Sequence, residues 1–386
     1  MNIGIDARMY GPSVGGGGLG RYVEQLVTEL QLIDTRNRYV LFLKKENFNA
    51  CVITNTNFEK RLADVHWYTL EEQHKMGRLI DHEHLDLVHF PHWNVPLFVR
   101  TPFVVTIHDL ILLAEPYSAK ISTRHPLFFA VKYQGYRVIL NHAIHASKKI
   151  ISVSNATAGV IKKFFPSVSK NKIEVVYEGV SELNSNIPAR PTGVPQQALD
   201  DAKNQDHSTT SASLLYIGNA YPHKNLERLL EAFAILRETH PNAKLILAGT
   251  DSIFYKRLLA NIPYRVTFVP NPTDDKLAEL YRHATLFVFP SRVEGFGLPP
   301  LEAMSMGVPV VASDIPSLRE ILGDNADYFP PNDTIEMARV FTRLLDDPTR
   351  REQLITRGTK HIKQFSWKTM TTKIKALYET CGTRTA

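Results

Sequence analysis

Cysteine is scarce in this chain. Its 386 residues include only Cys51 and Cys381, too few for a disulfide framework, which fits a reducing compartment. No apolar run approaches the ~20 residues that a membrane-spanning helix needs. No basic-then-apolar leader precedes Ile3-Gly4-Ile5, which already reads as a strand. A cytoplasmic protein is expected. The charge excess is also small: 45 Lys and Arg against 39 Asp and Glu leave +6. Basic residues are dispersed, and no zinc-finger, RNA-sheet or recognition-helix pattern accompanies them, so nucleic acid is not an expected partner. The modest positive balance favours anionic substrates or a negatively charged leaflet, which makes peripheral contact with the inner membrane face a further expectation.

At this length the chain exceeds one ordinary core, so two domains are expected. The first half alternates short apolar runs with longer amphipathic ones, the pattern of strand and crossover-helix units around a parallel sheet. Strands are expected at residues 3–7, 39–43, 87–90, 103–107, 150–153 and 173–177, and helices at 20–32 and 126–146. Between Ser181 and Ser213 the sequence turns polar and rich in Pro, Ser, Asn and Asp, a linker composition. A second series follows, with strands at 214–217, 245–248, 266–269, 286–289 and 308–312 and helices at 226–239 and 277–283. The expected class is α/β, with two Rossmann-like doubly wound domains at 1–185 and 213–365 joined by a linker over 186–212.

Gly15-Gly16-Gly17-Gly18-Leu19-Gly20 formally contains G-x-G-x-x-G, which raises a nicotinamide-dependent oxidoreductase. The distance from Ala7 to Gly16 is too long for the tight first turn of that fingerprint, and the second strand runs into Lys44-Lys45 where a ribose-binding acid would stand. The tract reads instead as a flexible loop whose N–H groups can close on phosphates.

Glu294-Gly295-Phe296-Gly297-Leu298-Pro299-Pro300-Leu301-Glu302 is the most informative stretch. Residues 291–297 read as a loop, Pro299-Pro300 suit a first helical turn, and Glu302 lies one turn inside. Unpaired N–H groups at a positive helix end, flanked by two separated acceptors for hydroxyls, suit a phosphorylated sugar. Taken singly, Glu294 reads equally as a loop carboxylate and Glu302 as a helix-dipole partner. Lys224 falls between a strand and the helix from Asn225, where an ammonium and N–H groups can hold a diphosphate, or where a solvated helix-start lysine would sit. His108 follows strand 103–107 and precedes Asp109, a turn or cap residue. His89-Phe90-Pro91-His92-Trp93-Asn94 places aromatic and polar groups beyond another strand, either as an acceptor contact or as loop packing.

These residues carry a family likeness. EGFGLPPLEAM, followed by Gly307-Val308-Pro309-Val310-Val311-Ala312-Ser313, resembles the donor-site signature of the retaining glycosyltransferases of family 4, or glycosyl transferases group 1. Ile3-Gly4-Ile5-Asp6-Ala7-Arg8, the glycine tract and Gly20-Arg21-Tyr22 resemble that family's opening. Thr106-Ile107-His108-Asp109-Leu110, Val153-Ser154-Asn155 and Pro222-His223-Lys224-Asn225-Leu226 recur in its mannosyltransferase-like members. The likeness extends over nearly the whole chain.

The resemblance implies a GT-B fold, two Rossmann-like domains facing each other across a cleft. Residues 1–185 would bind the acceptor, 213–365 the nucleotide sugar, and a helix over 366–386 would cross back to the first domain. It implies a hexosyltransferase, most closely one using GDP-mannose, with UDP-glucose and related donors as the alternative and a glycan or lipid-linked acceptor. By the same likeness Glu302 would take the nucleotide ribose and Glu294 the donor sugar, with amides around Gly295, Phe296, Gly297 and Leu298 serving sugar and phosphate oxygens. Gly16, Gly17, Gly18 and Asn219 would also face the donor. His108, Glu294 and Lys224 would be the catalytic set, and His92, Trp93 and Asn94 would meet the acceptor. The family commonly has an arginine about six residues before the lysine; here Gly218-Asn219 occupy that place, which also keeps a non-catalytic sugar-nucleotide sensor in view. No D-x-D pair and no zinc-type His, Glu or Cys spacing occurs, so neither cofactor nor metal is expected.

Overall fold

A computed structural model describes residues 1–11, 14, 16–116, 126–180, 212–260 and 263–382. Apart from Ala212, the expected linker lies outside these residues, as does Gly15. The chain divides into two compact units, Met1–Gly179 with Phe365–Ala386, and Val180–Gln364.

The first unit is built on β1 (Asn2–Asp6), β2 (Arg38–Leu43), β3 (Phe58–Leu62), β4 (Leu87–Phe90), β5 (Phe103–Ile107), β6 (Lys149–Ser152) and β7 (Ile173–Val175). All neighbours pair in parallel in the order β3-β2-β1-β4-β5-β6-β7. β4 and β5 are buried at every position, as strands must be when helices cover both faces, His89 and Thr106 included. β3, with sequence FEKRL, escapes the apolar pattern because it is an edge strand that buries only Phe58. The longer helices include α1 (Gly17–Ile33), α2 (Leu70–His82), α3 (Pro126–Ala146) and α4 (Asn155–Phe164). α1 starts three residues earlier than the expected 20, so Gly17 and Gly18 form its first turn rather than a loop, and Gly16 is the cap. First-turn amides lack intrahelical partners, so this correction keeps the donors while fixing their direction.

The second unit holds β8 (Ser213–Ile217), β9 (Lys244–Gly249), β10 (Val266–Pro270), β11 (Leu286–Phe289), β12 (Val310–Ser313) and β13 (Asp327–Phe329). Its sheet is also wholly parallel, in the order β10-β9-β8-β11-β12-β13. Helices α5 (Leu226–Thr239), α6 (Asp274–His283), α7 (Leu298–Ser305) and α8 (Thr334–Asp346) belong to it. Each sheet therefore reverses its strand order once, between β1 and β4 and between β8 and β11. Such a reversal leaves a crevice beyond the carboxyl ends of those strands.

Residues after the second unit return to the first as α9 (Trp367–Gly382), which packs on α1. Gly179 allows the close approach where the chain re-enters: a Cβ there would stand 2.3 Å from the Trp367 nitrogen. Tyr378 of α9 reaches into the first sheet, its hydroxyl 2.6 Å from His89 Nδ1. His89 Nε2 in turn lies 2.8 Å from Thr106 Oγ1, which also meets the Tyr22 hydroxyl at 3.0 Å.

His89 is fully buried, and burial, reinforced by His108, pushes its imidazole from 6.5 down to about 3. The unfolded ring takes up a proton that the folded ring refuses. Its stabilising effect is complete above the unfolded value and drains away as pH falls toward the folded one, at about 1.4 kcal/mol per pH unit. His92, in the same unit, is likewise pushed down to about 3. Between about pH 7 and about pH 5 the thermal unfolding midpoint of this unit should fall. A His89→Asn variant should be less stable at neutral pH yet decline more shallowly; equal slopes for the two proteins would exclude His89 as a source of the acid lability.

Candidate functional site

In the second unit the turn after β8 and the loop after β11 flank the strand-order reversal. Gly218 and Asn219 leave β8, and a short 3-10 turn, Pro222–Lys224, leads into α5. Asn225 caps that helix in the left-handed region at φ 63°. Its buried amide donates to the carbonyls of Pro290 and Pro331 at 3.1 and 2.7 Å, tying the β8 turn to the β11 loop. The Arg292 amide donates to His223 O at 2.8 Å, a second tie between the same segments. Tyr216 and Tyr255 brace the turn from beneath, donating to the carbonyls of Asn219 and Gly218 at 2.7 and 2.8 Å.

Across this frame Lys224 Nζ meets Glu294 Oε1 at 2.5 Å. The two side chains are only 13% and 10% exposed, so their charges stand largely outside water, where pairing is needed. The ammonium also lies 5.5 Å from the Phe289 ring centre. Burial, with Lys224 beside it, pushes His223 from 6.5 down to about 4, leaving that ring neutral near neutral pH. Beyond Glu294, Gly297 adopts φ 98° as the cap of α7, a conformation that a side chain would resist. Leu298, Pro299 and Pro300 form the first turn, and Pro at these positions forfeits no intrahelical bond. Glu302 is buried and accepts from the Tyr281 hydroxyl at 3.2 Å. The Ser291 hydroxyl, at the end of β11, is buried with no hydrogen-bond partner among the described residues.

In the first unit His108 follows β5. Its Nδ1 lies 2.8 Å from Glu178 Oε1 and its Nε2 2.9 Å from the Pro91 carbonyl, while Tyr22 packs edge-on at 4.7 Å. The Pro91 oxygen only accepts, so Nε2 donates to it. Asp109 accepts from the Ile111 amide at 3.0 Å, a turn role.

A separate hollow opens at the β1/β4 reversal, lined by Asp6, Arg8, Met9, Trp67, Pro91, His92 and Asn94. Fully buried Arg8 bonds Asp6 through Nε at 2.8 Å and NH2 at 2.7 Å, Glu72 at 2.6 Å and the Val65 carbonyl at 3.2 Å. Burial opposes its charge, but Asp6 and Glu72 outweigh that and hold the guanidinium protonated.

The sequence reading thus scatters over two units. Lys224, Glu294, Asn219, Gly295, Phe296, Gly297, Leu298 and Glu302 fall in the second, and His108, His92, Trp93, Asn94, Gly16, Gly17 and Gly18 in the first. Lys224 and Glu294, assigned separate tasks, prove to be direct partners. Asn219 spends its side-chain oxygen on the Tyr221 amide at 3.3 Å. Trp93 packs against Tyr136 at 4.7 Å and into the core, whereas Trp67, which sequence reasoning passed over, lines the hollow. Glu178 was also missed; a carboxylate at a strand's carboxyl end, just before glycine, was the available signal. Among the described residues, no group of three or more His, Cys, Asp and Glu could hold a metal ion.

Comparison with known proteins matches residues 16–182 to Glycosyltransferase Family 4 and residues 199–361 to Glycosyl transferases group 1. The chain is 31% identical over 304 residues to the O-antigen chain mannosyltransferase B of Escherichia coli, covering 76% of this chain and 74% of that protein. It is 25% identical over 285 residues to the O-antigen chain mannosyltransferase RfbU of Salmonella typhimurium, covering 73% and 71%. The sucrose-phosphate synthase of Thermosynechococcus elongatus has a similar structure, with a TM-score of 0.73 at 20% identity over 98% of both chains, a likeness of fold.

The ion pair makes a separable prediction. In a double-mutant cycle of Lys224→Met and Glu294→Gln, read by urea unfolding, the costs of the two single changes should sum to about 2 kcal/mol more than the cost of the double change. Strict additivity would show that the contact does not hold the folded site.

Proposed function

The chain belongs to the family-4 glycosyltransferases, the glycosyl transferases group 1, with the GT-B fold, and on that premise we propose that it moves a mannosyl group from GDP-mannose to an acceptor hydroxyl with retention. The acceptor in this reading is a glycan or a lipid-linked saccharide. Two of the relatives are mannosyltransferases by name, which supports the sugar. The Lys224–Glu294 contact at the β8/β11 reversal carries the mechanism.

In the reaction the bond from C1 to the diphosphate breaks and a bond from C1 to the acceptor oxygen forms on the same face. The acceptor proton leaves with the diphosphate. Charge grows on the departing oxygens, and stabilising it is the protein's main task. Lys224 supplies the cation by exchanging Glu294 for a diphosphate oxygen. That exchange frees Glu294 to accept from hydroxyls of the donor sugar, so a single displacement equips both residues. The first-turn amides of α7 and those at Gly295, Phe296 and Gly297 add fixed dipoles, and Glu302 takes the ribose hydroxyls. His108 offers the Nε2–H that Pro91 now accepts. In this reading cation and amide dipoles neutralise the diphosphate without a bound metal, in keeping with the absence of D-x-D from the sequence.

Lys224→Ala should lower kcat by about 100- to 1000-fold, the scale of a lost oxyanion donor, measured as mannosyl transfer from GDP-mannose. GDP-mannose should raise the melting temperature of the wild-type protein more than UDP-glucose does. Turnover within a few-fold of wild type would remove Lys224 from the mechanism, and a preference for the uridine donor would replace the proposed substrate.

Location at an anionic leaflet is the companion proposal. Among the described residues no helix is long and apolar enough to cross a membrane. α3, however, exposes Val131 at 72% and Val138 at 55% beside exposed Lys132 and Arg137, a mixed face suited to anionic headgroups. The protein should co-sediment with anionic vesicles but not with neutral ones. Lys132→Glu with Arg137→Glu should abolish the effect; retention by that double variant would dismiss the helix as the contact.

A further inference from the structure

Three residues that line the hollow at the β1/β4 reversal each carry a buried polar atom with no hydrogen-bond partner among the described residues: Trp67 Nε1, His92 Nδ1 and Asn94 Oδ1. Unpaired buried polar groups are costly and mark a place where a water or ligand belongs. Asn94 is 3% exposed. Its orientation follows from its neighbour, because Nδ2 lies 2.7 Å from Glu72 Oε1. Glu72 already accepts from Arg8 and from the Tyr68 amide at 2.8 Å. The amide nitrogen must therefore face Glu72, and the oxygen is left as an acceptor.

What can satisfy these atoms is narrow. Trp67 Nε1–H only donates and Asn94 Oδ1 only accepts, so the guest must both accept and donate. A phosphate or carboxylate accepts but has no hydrogen for Asn94, and an ammonium has no lone pair for Trp67. Nor does the hollow offer a spare cation. Arg8 spends its nitrogens on Asp6, Glu72 and Val65. Lys44, 4.4 Å from the Trp67 ring centre, pairs with Glu46 at 3.2 Å. Two carboxylates against one guanidinium leave the floor unfavourable to anions. The neutral His92 ring suits either role through its tautomer.

We infer that this hollow, through Trp67, His92 and Asn94, receives an uncharged hydroxyl of the acceptor saccharide and discriminates against phosphorylated acceptors. The inference rests on the reading of the chain as a transferase to a saccharide hydroxyl. It assigns a recognition role to Trp67 and fixes the charge class of the acceptor.

Methyl α-D-mannopyranoside and mannose 6-phosphate serve as probes, titrated into the full-length protein by ligand-observed NMR, with GDP-mannose and GDP titrated in parallel by thermal shift. The neutral mannoside should bind, and mannose 6-phosphate should bind more weakly. Trp67→Phe keeps an aromatic ring beneath Lys44 and removes the N–H together with part of the indole; it should weaken mannoside binding roughly fivefold or more, at least the scale of one hydrogen bond. His92→Phe should act in the same direction, and neither variant should alter the GDP-mannose shift. The inference is overturned if the mannoside does not bind the wild-type protein, which would leave the hollow to a water. It is overturned equally if both variants bind the mannoside like wild type, or if the phosphate ester binds more tightly. Loss of GDP-mannose binding relative to GDP in Trp67→Phe, with mannoside binding intact, would reassign the hollow to the donor and end the acceptor claim. A wild-type protein that binds the mannoside but not GDP-mannose refutes the proposed donor and leaves the hollow supported.

Discussion

A wholly parallel sheet cannot be joined by tight hairpins, so every link must cross over one face or the other. Where successive crossovers change faces, the strand ends between them stay uncovered. That constraint governs both sheets of this chain, and it explains why residues distant in sequence meet. The turn after β8 carries Lys224 and the loop after β11 carries Glu294. In the other sheet, Asp6 ends β1 and Arg8 follows it, while His92 and Asn94 follow β4. The same strand-order reversal thus frames two different sets of charged residues. One crevice holds Lys224 paired with Glu294; the other holds Arg8 bonded to both Asp6 and Glu72.

The crevice at the β8/β11 reversal is stiffened by groups that touch no substrate in the proposed scheme. Asn225, Tyr216 and Tyr255 hold carbonyls on both sides of the Lys224 turn, so the backbone dipoles are fixed before any ligand arrives. Such preorganisation is what lets amides act on a developing charge without first being reoriented. The left-handed conformation of Asn225 belongs to the same logic, since Asn tolerates it better than most side chains.

Much of this architecture was legible in the sequence because buried parallel strands are largely apolar runs; residues 87–90, 103–107 and 286–289 are strands at their expected limits. Glycine and proline spacing likewise located α7. What escaped was structure whose signal is not apolar. β3 is an edge strand of charged residues, and the start of α1 was obscured because glycine is a poor indicator of helix. At the site, residue types and loop positions could be read, but pairing could not. Nothing in the order of residues says that Lys224 touches Glu294, that Glu178 meets His108, or that Trp67 rather than Trp93 lines the hollow. Those contacts depend on the crossing of elements, which only coordinates supply.

The closeness of Gly179 to Trp367 has a consequence for biosynthesis. α9 is part of the first unit, yet its codons are translated after those of the entire second unit. On the ribosome the second unit, contiguous in sequence, can complete itself, while the first must wait with the flank of α1 bare and His89 lacking the Tyr378 hydroxyl. The half made earliest is therefore finished last, and until α9 arrives its apolar flank stays uncovered.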